Sequence, residues 1–160
     1  MDRKTVKEFE KLMKLALKQA CQAQARGEVP VGAVVACRGK VIGRGGNRLI
    51  QKNDPTAHAE ILALRQACRR MGNYRLAGCD LIVTLEPCAM CLGAAVQARV
   101  GRIVFGATDP KAGAVSSILR FPFAKMNHRP EVRGGVLGLQ CGQILKDFFK
   151  IRRGRPSGEY

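Results

Sequence analysis

Between residues 5 and 27 the apolar side chains return every three or four positions. Phe9, Met13, Ala16, Leu17 and Ala20 share one face, which predicts an amphipathic helix ending near Gly27. Thr5-Val6-Lys7-Glu8 fits a capping box at its start. The pattern then changes to short apolar runs. Val31–Ala36 and Val41–Gly43 flank Arg38-Gly39-Lys40, as two strands of a hairpin would. A polar, Gly-bearing loop follows from Gly45 to Asp54. Asp54-Pro55 then reads as an N-cap with proline in the first helical position. The helix it opens turns Ile61, Leu64 and Cys68 inward and stops around Gly72.

Leu81–Leu85 is a continuous apolar run, expected of a strand covered on both faces. Pro87 starts a third helix, and Arg102–Gly106 returns as another strand, so this stretch forms a βαβ unit. Residues 109 to 130 are irregular, with room for a short helix near Ser116–Arg120. A last helix runs from about Val136 to Arg153 and leaves a frayed basic tail. The expected fold is α/β in three layers, α-β-α, with a mixed central sheet of about five strands and helices on both faces. No repeat or linker divides the 160 residues, so one domain is expected over 1–160. Ligands in such folds sit at the carboxyl ends of strands, where chains hand over to helices.

Charge narrows the partners. Lys and Arg total 28 against 12 acidic residues, a net +16, which favours a polyanion because neutralising phosphates releases counterions. Lys7, Lys11, Lys14 and Lys18 fall opposite the apolar face of the first helix. They are either an RNA-facing stripe or the solvated side that amphipathicity requires. Met1-Asp2-Arg3-Lys4 carries no apolar leader, and no run approaches the ~18 residues of a membrane span. A cytoplasmic protein with no membrane partner is expected. Its seven cysteines are then thiols or metal ligands.

Two clusters carry chemistry. His58-Ala59-Glu60 lies in the opening turns of the second helix, and Pro87-Cys88-Ala89-Met90-Cys91 opens the third. Cys88 and Cys91, three apart, share a helix face, and the N-terminal N–H groups favour their thiolates. With one histidine they make three ligands, suited to zinc with a fourth position open to water. His128 is the only other imidazole, so His58 is the expected ligand and His128 is read as structural. Two thiolates offset the metal's charge and weaken its acidification of water, which makes a base at Glu60 more valuable. One geometric step is open: side chains at i and i+2 of a regular helix diverge by about 160°. A thiol redox pair and a chance His-Ala-Glu tripeptide are the competing readings. The His-x-Glu…Pro-Cys-x-x-Cys order is the signature of zinc nucleobase deaminases.

At these residues the chain resembles the bacterial-type tRNA-specific adenosine deaminases of the cytidine deaminase-like superfamily. The likeness runs through Glu28–Ala33, Gly46–Arg48, Asp54–Ile61, Thr84–Cys91, Phe105–Lys111, Met126–Arg129 and Asp147–Phe149, about residues 5 to 153. It implies hydrolytic conversion of adenosine to inosine at the anticodon wobble position of tRNA by a homodimer with one Zn2+ per chain. By resemblance His58, Cys88 and Cys91 hold zinc and Glu60 shuttles protons. Asn47 hydrogen-bonds the flipped base, and Val31 and Pro87 wall the pocket. Asp109 and Lys111 contact the anticodon loop, and Phe149, Arg152 and Arg153 lie along the RNA.

Each role has a plainer counterpart. Asn47 could serve turn geometry, Asp109 and Lys111 a solvated turn, and Phe148 helix packing. Cys21, Cys37, Cys68, Cys79 and Cys141 read as small buried hydrophobes. The alternative activity is deamination of a free base or nucleoside of guanine or cytosine type. The basic run Lys146, Lys150, Arg152, Arg153 and Arg155 argues against it, because a neutral base does not require it. A zinc-holding RNA-binding module without turnover is the third reading, disfavoured by Glu60 beside a full ligand set.

Overall fold

Alternation along the central strands decides which helices cover which face. The computed structural model describes residues 3–154; the expected basic tail from Arg155 onward lies outside them. Strands β1 (Gly32–Cys37), β2 (Lys40–Gly46), β3 (Cys79–Leu85), β4 (Arg102–Ala107) and β5 (Glu131–Arg133) form one sheet in the order β2-β1-β3-β4-β5. β1 is antiparallel to β2 and β3, while β3, β4 and β5 run parallel. Val34, Ala36, Ile82 and Val104 face helix α1 (Arg3–Ala25), whose Phe9, Leu12, Met13 and Ala16 are buried, and Cys141 of α5 (Gly138–Arg153). Ala33, Val35, Leu81, Val83, Ile103 and Phe105 face the other way, onto Ala63 and Leu64 of α3 (Ala59–Met71) and Leu92 and Ala95 of α4 (Ala89–Gln97). This is the expected three-layer sandwich with a mixed sheet.

Several boundaries differ from the pattern. α1 begins at Arg3, so Thr5 lies inside the helix instead of capping it; Arg3 and Lys4 are both good helix formers. The hairpin turn is as expected, with Arg38 and Gly39 at φ 49 and 75. β2 continues to Gly46 because α3 lies almost on its backbone. A Cβ on Gly43 or Gly45 would come within 2.2 Å of Ala63 O or Ala59 O, respectively. Glycine there marks close approach rather than a loop.

The expected helix start at Asp54-Pro55 is also corrected. Asp54 Oδ1 accepts from the Thr56 N–H at 2.8 Å and its hydroxyl at 2.7 Å, a local turn that competes with the helix. The stretch taken as loop holds a short helix, α2 (Leu49–Lys52), which ends at Asn53 with φ 48. Buried Glu28 supports it by accepting from the N–H groups of Ile50 and Gln51 at 3.2 and 2.9 Å. α4 starts at Ala89 with Cys88 as N-cap, and α5 starts at Gly138. No helix forms at Ser116–Arg120. One 3-10 turn occurs instead at Phe123–Lys125.

Outside the apolar layers, Asp80 and Arg102 tie β3 to β4 through paired bonds of 2.6 and 2.7 Å. The Arg102 guanidinium also lies 4.9 Å from the Phe9 ring centroid. No helix among the described residues is long and apolar enough to cross a membrane.

Candidate metal centre and active site

The carboxyl ends of β2, β3 and β4 and the start of β1 lie at one end of the sheet, where α3 and α4 begin. His58 is the N-cap of α3 with φ −67 and ψ 151. It therefore stands in extended backbone, outside the helix whose regular turn would have sent it away from Glu60. The His58 Nδ1 lies 3.7 Å from Cys88 Sγ and 3.6 Å from Cys91 Sγ, and the three ligand atoms lie within 4.8 Å of one another. Tetrahedral zinc with usual bond lengths places nitrogen and sulfur ligands about 3.6 Å apart. The donor set and its spacing fit such an ion.

Electrostatics support the same grouping. The Cys88 thiol is pulled down to about 4, first by its hydrogen bond with Cys91 and then by His58. Burial opposes the shift. Cys91 is driven the other way, by Cys88 and by burial. The His58 imidazole is raised by Cys88 against the cost of burial. Glu60 is buried, and desolvation pushes its carboxyl up to about 7. Glu60 also raises the Cys91 thiol. A carboxyl held near neutrality beside a ligand set suits proton transfer in both directions.

Asn47 follows β2 and is also buried. Its Oδ1 accepts from Ala59 N–H at 2.9 Å, which supplies the side-chain cap that α3 lacks at His58. The loop amide thus does serve local geometry, and its oxygen is fixed by it. Its backbone N–H reaches Val31 O at 3.1 Å, so Val31 and Asn47 meet. Pro87 is buried, and its carbonyl accepts from Ala114 at 2.9 Å.

Asp109 and Lys111 lie on the loop after β4. Asp109 Oδ1 accepts from the N–H groups of Lys111 and Ala112 at 2.9 and 3.2 Å, so that carboxylate shapes a turn. Lys111 Nζ stands 5.8 Å from the Phe149 ring centroid, joining this loop to α5. Phe148 is buried, while Phe149 remains 40% exposed, which separates packing from surface. Arg152 lies 5.0 Å from the Phe148 ring and reaches Gly27 O at 3.4 Å. Arg153 is exposed on the last turn. His128 bonds Val100 O at 2.7 Å and is not part of the cluster of His58, Cys88 and Cys91.

The sequence reading gave Glu86 no role. Its buried carboxylate accepts from the N–H groups of Asp109, Val115, Ser116 and Ser117 at 3.0, 3.0, 2.8 and 3.2 Å, and from the Ser117 hydroxyl. It therefore sets the loop that carries Asp109 and Lys111. An acid placed directly between an apolar strand and a cysteine pair was the available signal.

A model of the MafB19-like deaminases matches residues 7–153. The tRNA-specific adenosine deaminase of Haemophilus influenzae is 51% identical over 148 residues, spanning 90% of this chain and 84% of the relative. The chain belongs to the bacterial tRNA-specific adenosine deaminases. Among solved structures, one from work on A-to-I editing by tRNA:A34 deaminases at the wobble position matches with a TM-score of 0.80. It is 49% identical over 84% of this chain and 98% of its own. A guanine deaminase from Nitrosomonas europaea shares the fold at a TM-score of 0.75, with 26% identity over 87% of this chain and 83% of its own. Family membership and fold therefore agree, and identity favours the tRNA-acting branch.

Proposed function

We propose that this chain holds one zinc ion through His58, Cys88 and Cys91 and hydrolyses adenosine to inosine at the wobble position of a tRNA anticodon. The observation that carries this reading is the three-ligand cluster at tetrahedral spacing beside buried Glu60. Bound there, zinc would supply Lewis-acid polarisation that lowers the pKa of water, though less than with neutral ligands because two thiolates offset its charge. Glu60 takes a proton from the attacking water and delivers it to a ring nitrogen of adenine. It then assists departure of the amino group as ammonia, so water and adenosine become inosine and ammonia. With its oxygen held by Ala59, Asn47 offers its amide nitrogen to the base, between Val31 and Pro87.

Lys111, exposed Phe149 and Arg153 form the approach for anticodon-loop nucleotides. Phe149 offers a stacking face and the cations offer phosphate contacts. Asp109 positions this loop, and Arg152 braces the end of α5. An anticodon loop presents unstacked bases at little cost. The chain works as a homodimer in the cytoplasm. The apolar groove between α3 and α4, lined by Ile61, Leu64, Cys68, Tyr74, Ala94 and Ala98, supports a contact with a second copy.

The test is ammonia release by protein purified without chelators, with metal content measured in parallel. The substrates are a tRNA anticodon stem-loop, free nucleosides and free bases. Release from the stem-loop alone is expected, with one zinc per chain. Release from free guanine or cytosine would favour the small-base activity, and a zinc-loaded protein without turnover would be a binding module.

A further inference from the structure

The open edge of the sheet carries a charge cluster that the deamination chemistry does not use. β2 is the edge strand, and a cleft of about 280 Å³ lies between it and α3, lined by Arg44, Arg48, Lys52, Arg65 and Arg69 and by no acidic residue. Arg65 and Arg69 are four apart on α3 and present to one side, while Arg48, the N-cap of α2, and Lys52, its last residue, line the same cleft. None of the five is ion-paired; among the described residues the ion pairs are Asp80–Arg102 and Glu131–Arg133.

Two acids lie nearby but outside the lining: Asp54, bonded to Thr56, acts on Arg65 and Lys52, and Glu28 is bonded to the backbone of α2. Behind the cleft, Arg26 packs against Gly46 with its Nε buried and without a hydrogen-bond partner. Burial and the neighbouring Arg48 lower the Arg26 pKa, against the opposing pull of Glu28. A further strand is not the occupant here, because Gln66 Oε1 already takes the Arg44 N–H at 2.7 Å.

Guanidinium forks match phosphate oxygens two at a time. The cleft borders the strand end that leads to the candidate active site: Arg48 directly follows Asn47, and Gly45 backs onto Ala59. We propose that this cleft is a second, phosphate-binding subsite that grips the sugar–phosphate backbone of the RNA substrate outside the deaminated nucleotide. The inference rests on the tRNA reading above. It gives the edge of the sheet a substrate-holding role separate from the loop after β4 and the end of α5.

The test pairs Arg44→Glu/Lys52→Glu with the milder Arg44→Ala/Lys52→Ala, each checked for zinc content and melting temperature. Both should raise KM for full-length tRNA at least ~10-fold, with the loss in KM rather than kcat. Both should also make the log–log salt slope of binding shallower by about 1 to 2. Lys7→Glu/Lys14→Glu, a matched charge reversal on the outer face of α1, should change KM less than about threefold by the same reasoning.

Unchanged KM and slope in folded, zinc-loaded cleft variants would overturn the inference. So would an equal effect of the α1 control, which would leave net charge as the cause. Tight binding of inorganic phosphate or pyrophosphate, with tRNA binding untouched in the variants, would make the cleft a free-anion site instead. A wild type that deaminates no tRNA sinks the functional reading and this one together. An active wild type with indifferent cleft variants sinks this one alone.

Discussion

The placement of Glu60 depends on one residue's backbone. Because His58 stands in extended conformation at the head of α3, its ring and the Glu60 carboxyl can serve the same space. Replacing Glu60 with Gln keeps the shape and removes the base. Turnover should fall by at least ~10²-fold with zinc retained, the scale of general acid–base catalysis; near-normal kcat in the zinc-loaded variant would remove Glu60 from its role. The cysteines give a second outcome. Cys91 is held protonated by Cys88 and burial, so zinc must displace its proton. Titrating zinc into chelator-stripped protein at pH 7, in two buffers of different ionisation enthalpy, should reveal proton release. Equal heats in both would contradict the ligand set.

At the scale of elements, Glu86 links β3 to the loop bearing Asp109 and Lys111. Burial pushes its carboxyl upward, but the Ser117 hydroxyl and the N–H groups of Ser116, Asp109 and Ser117 outweigh this and hold it below the usual 4.5. A depressed folded pKa means stability fully present above about 4.5 and lost as pH falls through the folded value. Glu86→Gln should therefore melt earlier than wild type at neutral pH, by about 1–3 kcal/mol for hydrogen bonds to a charged group. The gap should narrow as pH drops below 4.5. A gap independent of pH between about 3 and 7 would show that the carboxylate charge does not hold this loop. Elements also account for the misplaced boundaries. Asp54-Pro55-Thr56 has the composition of a helix start, yet its local hydrogen bonds close a turn and α3 begins at Ala59.

For the whole molecule, the excess of +16 predicts behaviour no single residue supplies. Binding of the anticodon stem-loop should weaken steeply with salt, with a log–log slope more negative than about −2, as release of several counterions requires. Fluorescence anisotropy at a series of salt concentrations measures it. A flat response would remove charge as the source of affinity.

The sequence by itself determined the layers, the candidate ligand residues and their order. Period-two and period-3.6 hydrophobicity state which faces are buried, and rare residue types at fixed spacing limit the chemistry. His58 and the Cys88/Cys91 pair were legible because few other groups on this chain could do their work. Tertiary structure decided the parts that depend on partners distant in sequence. Glu28 caps a helix more than twenty positions away, and Glu86 collects N–H groups from residues 109 to 117. The five cations meet in one cleft only because Gly43 and Gly45 let α3 lie against β2. Local pattern records what each residue prefers; convergence in space depends on how closely the backbones are allowed to approach.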